Sequence, residues 1–198
     1  MEEKKMKVLI LNGSPRKAGK VSQILHIMEK RLQADGCETE FVEVNSLDFK
    51  CCIGCMKCRD SGRCILPQDD AHHIGEALQN CDALIVGSPV YWGNINGKLK
   101  CLFDRQVAVM MGESKSGIPV PLLKGKKALV VNACTTPFPF NILAGQSTKA
   151  YTAVKEILSY SGIRIKGKLM LAGTKNMEKL PERIAKRAEK LARKISNI

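Results

Sequence analysis

Five cysteines crowd into fourteen residues: Cys51, Cys52, Cys55, Cys58 and Cys64. Within that run, Cys52-x2-Cys55-x2-Cys58-x5-Cys64 has the short consecutive spacings with which a tight loop wraps the corners of a cubane iron–sulfur cluster, whereas zinc sites more often use two separated pairs. Gly54 and Gly62 permit the positive dihedrals of such a wrap, and Lys50, Lys57, Arg59 and Arg63 offset the charge of four thiolates. The same residues also read as a metal-free loop whose exposed thiols pair or oxidise reversibly. Cys51 precedes the motif and reads as a bystander. Cys37, Cys81, Cys101 and Cys134 are scattered, as small apolar packing residues are.

A second group of reactive types follows a short apolar run. Asn12-Gly13-Ser14-Pro15-Arg16-Lys17-Ala18-Gly19-Lys20 leads into a helix. Its hydroxyl, guanidinium and ammonium groups, with the free N–H groups of a helix start, form a cradle suited to a phosphate. It is not a P-loop, because the Gly13 to Gly19 spacing is wrong and Val21 follows Lys20 where a Ser or Thr is needed; nor is it G-x-G-x-x-G. The plain alternative is an ordinary strand-to-helix turn. A third segment, Gly87 to Gly97, contains the only Trp (Trp92) and one of three Tyr (Tyr91) in a chain that is 5% aromatic. Rings at the end of a strand can frame a flat heteroaromatic ligand while turn N–H groups bond its polar edge; the competing reading is core packing.

The elements that must position these groups alternate plainly. Lys7 to Asn12, Phe41 to Val44, Ala83 to Gly87, Ala128 to Ala133 and about Ile165 to Ala172 read as strands, the apolar runs being suited to strands buried on both faces. Helices are predicted at about Lys20 to Ala34, from Asp69-Asp70 to Asn80, and at about Gly97 to Met111 and Ser147 to Ser161, followed by a basic terminal helix. The cysteines fall in an irregular stretch at 46–68. Five strands alternating with helices predict an α/β fold, a parallel sheet covered on both faces in the flavodoxin-like order 2-1-3-4-5. No internal repeat or interdomain linker is visible, and 198 residues suit a single domain spanning 1–198. In an open sheet of this order ligands sit beyond the carboxyl ends of the strands where the order reverses, between the first and third strands.

Gly13-Ser14-Pro15-Arg16, Ser88-Pro89-Val90-Tyr91-Trp92-Gly93, Lys98-Leu99-Lys100 and Phe103-Asp104-Arg105 resemble the FMN-binding segments of the flavodoxin-like NAD(P)H-dependent FMN reductases. With the cysteine loop added, the chain most resembles the iron–sulfur flavoproteins of that superfamily. The resemblance implies FMN, its phosphate on Ser14, Arg16 and the following helix start and its ring beside Pro89, Val90, Tyr91, Trp92 and Gly93. The family usually continues with Gly-Asn-Thr-Ser where Gly19-Lys20-Val21-Ser22 stands here, so Lys20 and Ser22 are expected to replace the missing phosphate contacts. The loop after the fourth strand, with Cys134 and Thr135, is expected to close the third side. The resemblance further implies a [4Fe–4S] cluster on Cys52, Cys55, Cys58 and Cys64, and a homodimer or homotetramer.

The net charge of +13 suggests a nucleic-acid partner at first sight. Its distribution argues otherwise, because residues 151–198 carry +8 of it. There Leu180, Ile184, Ala188, Leu191 and Ile195 recur at helical spacing, which makes the charge the outer face of an amphipathic helix. No apolar run approaches the roughly 20 residues of a membrane-spanning helix. The start shows no signal-peptide pattern, so a cytoplasmic protein is expected. The leading reading is an FMN- and [4Fe–4S]-containing oxidoreductase that takes electrons from a ferredoxin-like donor and passes them to a small-molecule acceptor. The second is an NAD(P)H-dependent FMN or quinone reductase without a cluster. The third is a non-enzymatic metal- or nucleic-acid-binding protein. Flavin chemistry needs no general acid or base, so His72 and His73 read as helix-surface residues.

Overall fold

A computed structural model describes residues 5–196. The elements follow in the order β1 (Lys7–Asn12), α1 (Lys20–Ala34), β2 (Glu38–Glu43), a 3-10 turn (Val44–Ser46), α2 (Cys58–Ser61), α3 (Asp70–Asn80), β3 (Ala83–Pro89), α4 (Gly97–Arg105), α5 (Val107–Met110), β4 (Met111–Glu113), β5 (Pro119–Pro121), β6 (Lys127–Ala133), α6 (Phe140–Leu143), α7 (Gln146–Tyr160), β7 (Arg164–Leu171) and α8 (Glu182–Ser196). Five parallel strands form one sheet in the order β2-β1-β3-β6-β7. The labels differ from the expected 2-1-3-4-5 because an antiparallel hairpin, β4-β5, interrupts the chain between the third and fourth strands of the main sheet.

Alternation along the strands divides the interior in two. Val8, Ile10, Ala83, Ile85, Leu129 and Val131 face one core with Ile24, Met28 and Leu32 of α1 and Ala188 and Ile195 of α8. Leu9, Leu11, Leu84, Val86, Ala128 and Val130 face the other with Ile74 and Leu78 of α3, Leu99 and Leu102 of α4 and Val154 and Leu158 of α7. Both sheet faces are therefore covered by helices, as βαβ crossovers require. The stripe predicted on the terminal helix is buried at Ala188, Leu191 and Ile195 and partly buried at Leu180 and Ile184, which leaves the lysines and arginines outside.

Three boundaries differ from the sequence expectation for physical reasons. β2 begins at Glu38, three residues early, because an edge strand tolerates the polar Glu38-Thr39-Glu40 that looked like a loop. The predicted helix to Met111 stops at Arg105, since Gln106 leaves helical geometry and its side-chain amide donates to the Ala71 carbonyl at 2.7 Å. The stretch after it, rich in Gly, Pro, Ser and Lys, forms the β4-β5 hairpin rather than a bare connection. No helix among the described residues is long and apolar enough to cross a membrane.

Candidate functional site

The turn after β1 is built from inside. Asn12, fully buried, donates through its side-chain amide to Ser22 Oγ at 2.9 Å and to Glu43 at 2.8 Å, and its carbonyl oxygen accepts from the Ser14 N–H at 3.1 Å. The Arg16 carbonyl then accepts from Gly19 N–H, Ser22 Oγ and Ser14 Oγ. Gly19 is required here, because a Cβ at that position would lie 2.9 Å from the Arg16 carbonyl oxygen. Gly13 donates its N–H to the Gly87 carbonyl at 2.8 Å, which ties the turn to β3. The result presents Ser14, the exposed Arg16 side chain and the uncapped start of α1, with no acidic residue in its first turn. Positive partial charge from that helix end and a guanidinium favour an anion.

This turn forms one wall of a cavity of about 440 Å³ across the carboxyl ends of β1, β3, β6 and β7. Ser14, Arg16, Gly19, Lys20, Val21, Pro89, Val90, Tyr91, Cys134 and Thr135 line it, so most residues singled out from sequence share one space. Its size is that of a small-molecule site, and it lies where the strand order reverses. The loop after β7, with Thr174, Lys175 and Met177, supplies a wall that sequence reading missed; Thr174 is fixed by donating Oγ1 to the Cys134 carbonyl at 3.0 Å. Its one sequence signal was position, beyond the carboxyl end of the last sheet strand.

Ser22, Trp92 and Gly93 depart from the expected contacts, and Lys20 meets its own in part. Ser22 is fully buried beneath the turn, with its hydroxyl committed to Arg16 and Asn12, so it shapes the cradle without facing the cavity. Lys20 lines the cavity, but its ammonium donates to the Glu178 carbonyl at 2.7 Å. Trp92 and Gly93 do not line it: Tyr91 and Asn94 exchange backbone hydrogen bonds, which puts Trp92 and Gly93 at the tip of a two-residue turn with φ of 52° and 74°. Trp92 is wholly exposed and therefore is not core packing either. Gly93 sits beside Gln146 and Lys149 at the start of α7, and Phe138, Phe140 and Leu143 are also exposed in the segment leading there.

The cysteine loop leaves the same edge of the sheet but runs along the opposite helical layer. Phe49 packs under Lys98 of α4, and Arg105 of the same helix donates to the Lys50 carbonyl at 2.6 Å. The Arg105 side chain is fully buried and forms two hydrogen bonds with Asp69, at 2.7 and 3.0 Å. Burial opposes ionisation of Asp69, but Arg105 and then His72 outweigh it and hold the carboxyl below its usual range. Asp69 caps α3, and His72 closes that cap and approaches the Cys64 carbonyl at 3.3 Å. His72 is thus a partly buried capping residue, not the helix-surface residue that was expected. Arg105 therefore holds the start of the loop directly and its end, at the Cys64 carbonyl, through the Asp69 and His72 cap.

Between those ends the loop is exposed at Cys52 and Cys55 and half-buried at Cys58 and Cys64. Gly54, Met56 and Gly62 adopt positive φ, and the Gly54 N–H donates to Cys52 Sγ at 3.4 Å. Burial, and then the neighbouring Cys64, Cys52 and Cys55 thiols, push the Cys58 thiol up. The four sulfurs are thus electrostatic neighbours, and four soft donors on a glycine-bent loop beside cationic Arg105 fit an iron–sulfur cluster by chemistry. They are not drawn together: among the described residues no three His, Cys, Asp or Glu side chains form a group able to hold a metal ion. No residue from Cys51 to Cys64 lines the 440 Å³ cavity.

Comparison with known proteins adds a family to this geometry. Residues 6–153 match the family described as NADPH-dependent FMN reductase. An iron–sulfur flavoprotein of Methanocaldococcus jannaschii is 35% identical over 107 residues, 54% of this chain and 55% of that protein, so the match spans about half of each. One from Clostridioides difficile is 26% identical over 96% of this chain and 77% of its own length. Among solved structures, an FMN-dependent NADH-azoreductase from Bacillus anthracis in complex with FMN superposes with a TM-score of 0.75 at 15% identity, over 97% of this chain and 100% of that one. At that identity the likeness shows the fold.

Proposed function

The chain belongs to the NADPH-dependent FMN reductase family of flavin-dependent oxidoreductases, and from that premise we propose that it binds FMN in the cavity at the carboxyl ends of β1, β3, β6 and β7 and transfers electrons through it. The observation that carries this reading is the cavity itself, where a preformed anion cradle, Ser14 and Arg16 at the start of α1, shares one space with Pro89 to Tyr91 and Cys134 to Thr135. When bound, FMN supplies one- and two-electron redox chemistry. The chain's own residues do the rest. Arg16 and the α1 N–H groups hold the phosphate, with Lys20 contributing charge nearby. Backbone of the Pro89 to Tyr91 and Cys134 to Thr135 loops borders the ring. No side chain is required to move a proton.

We further propose that Cys52, Cys55, Cys58 and Cys64 ligate a [4Fe–4S] cluster that exchanges single electrons with a ferredoxin-like donor, supported by the donor set and by the similarity to iron–sulfur flavoproteins. The exposed Trp92, Phe138, Phe140 and Leu143 support burial against a second copy in a homo-oligomer. A second reading, an NAD(P)H-dependent reductase of flavins or quinones without a cluster, is supported by the match to the NADPH-dependent FMN reductase family. Anaerobic purification followed by a visible spectrum and iron and sulfide analysis separates the two. Four irons and four sulfides per chain, lost on changing any of the four cysteines to Ala and kept in Cys51→Ala, support the first. FMN without iron, with full NAD(P)H oxidation, gives the second.

A further inference from the structure

The loop between β7 and α8 is fixed at both ends across the open edge of the sheet. At its start the Gly173 N–H donates to the Thr136 carbonyl at 2.9 Å, and Thr174 gives the Cys134 carbonyl both its N–H, at 3.1 Å, and its hydroxyl, at 3.0 Å. At its end the Glu178 carbonyl accepts from the Lys20 ammonium of α1 at 2.7 Å. Between these points the Met177 N–H donates to the Thr174 carbonyl at 3.4 Å, and the Met177 side chain packs against the core that α1 and α8 share. That closes a four-residue turn with Lys175 and Asn176 at its corners. Lys175 lines the same cavity as Arg16, and no Asp or Glu lines it. Among the described residues no ion pair involves Lys175 or Arg16.

The turn after β1 has few side chains left to offer an anion. Ser14 Oγ is engaged with the Arg16 carbonyl, Ser22 is buried beneath the turn, Val21 is apolar, and Lys20 is drawn to Glu178. That leaves Arg16, whereas a phosphate monoester carries about −1.5 to −2 charge at pH 7, more than one guanidinium offsets. We propose that Lys175 is the second cation of the phosphate cradle, and that Lys20 is a positioning residue that latches the loop carrying it. The inference rests on the FMN reading of the cavity and adds to it a residue outside the segment 6–153 that matches the family. The division of labour follows from chemistry. A lysine ammonium is a compact point charge on a flexible stem, so Lys175 needs only a loop held at the right place to reach a phosphate oxygen. Lys20 supplies that hold by tying the loop to the helix whose start faces the same anion.

The test compares FMN with riboflavin, which has the same ring and ribityl chain without the phosphate. Protein loaded with either flavin is diluted in steps at low and at high salt, and the flavin fluorescence that returns on release gives the dissociation constant. Lys175→Ala is expected to weaken FMN about tenfold at low salt, and to flatten the salt dependence of FMN binding. Riboflavin should stay within about twofold of the wild type, which also shows the site to be folded. Lys175→Arg keeps the charge and should hold FMN within about threefold of the wild type. Lys20→Met should weaken FMN on its own, yet by less than about twofold in the Lys175→Ala background, because a latch has nothing left to position there. Unchanged FMN affinity in Lys175→Ala overturns the proposal. So does equal weakening of FMN and riboflavin, which makes the lysine part of the wall and not of the cradle. If riboflavin does not bind the wild type, the salt dependence decides in its place, and a slope that Lys175→Ala leaves unchanged overturns the proposal. Additive effects of Lys20→Met and Lys175→Ala overturn the latch. Wild-type protein that takes up no FMN brings down the flavin reading together with this inference, whereas wild type and Lys175→Ala that hold FMN equally well bring down this inference alone.

Discussion

The turn after β1 and the cysteine loop leave the same edge of the sheet and are held in opposite ways. In the turn, Ser14 is 6% exposed and a single carbonyl, that of Arg16, accepts from two side chains and a backbone N–H, so the shape is over-determined from within. In the loop the fixed points are the ends, at the Lys50 and Cys64 carbonyls, while Cys52 and Cys55 stand exposed between them. The difference separates two kinds of site. The first is preorganised from within; the second has its boundary fixed and its interior open.

The sharpest way to break this contrast is to remove the loop's anchor. Arg105→Ala leaves Asp69 partly buried without its cation and frees the Lys50 carbonyl, and it should lower stability by about 3–5 kcal/mol in urea unfolding. Asp69→Asn probes the same anchor through pH. Because the folded carboxyl sits below its usual range, its contribution is complete above about pH 4 and disappears as pH falls through the lower folded value. The variant should therefore lose less stability than the wild type across that acid window. Equal acid sensitivity would mean that the pair does not hold the loop.

Next in size is the preorganised site. Arg16→Ala should weaken FMN binding by about 1.5–3 kcal/mol in a titration of the apoprotein, with unfolding stability unchanged because the side chain is exposed. Lys20→Ala should weaken it less, since that ammonium is already engaged by the Glu178 carbonyl. Ser22→Ala tests whether the turn is built from within: leaving the Asn12 amide and Arg16 carbonyl short of a partner should cost about 1–2 kcal/mol of stability, with FMN affinity following indirectly. A Ser22 variant of full stability and poor FMN binding would restore the direct contact expected from sequence.

These cases show what the sequence exposed and what it hid. The sheet was legible because Val8 to Leu11 and Ala83 to Val86 are apolar on both faces, a pattern only a doubly covered strand requires. The cavity was legible in outline because its residues follow strands, and position along the chain becomes position in space once the strand order is known. Ser22 was misassigned because a hydroxyl one turn into a helix looks the same whether it faces a ligand or the buried side of its own loop. Thr174 and Arg105 acquire their roles from contacts 40 and 36 residues away, with Cys134 and Asp69, and no local pattern marks such partners.

The smallest expected effect concerns Trp92, and it tests whether preorganisation extends to the rim of the cavity. A bulky residue at φ 52° carries strain of about 1–3 kcal/mol, and here the ring recovers nothing from packing because it is wholly exposed. In FMN-free protein Trp92→Ala should stay within about 0.5 kcal/mol of wild type. Trp92→Gly should be as stable or gain up to about 1 kcal/mol, since glycine adopts positive φ without the steric cost. A buried Trp would instead cost about 3–5 kcal/mol on truncation, and a loss of that size in the urea midpoint would show that the tip is packed. A side chain kept in a strained turn without stabilising the chain acts on something outside it. Both variants should therefore change FMN retention or the mass measured by light scattering while their midpoints stay close to wild type, and a tip that alters neither would belong to the fold alone.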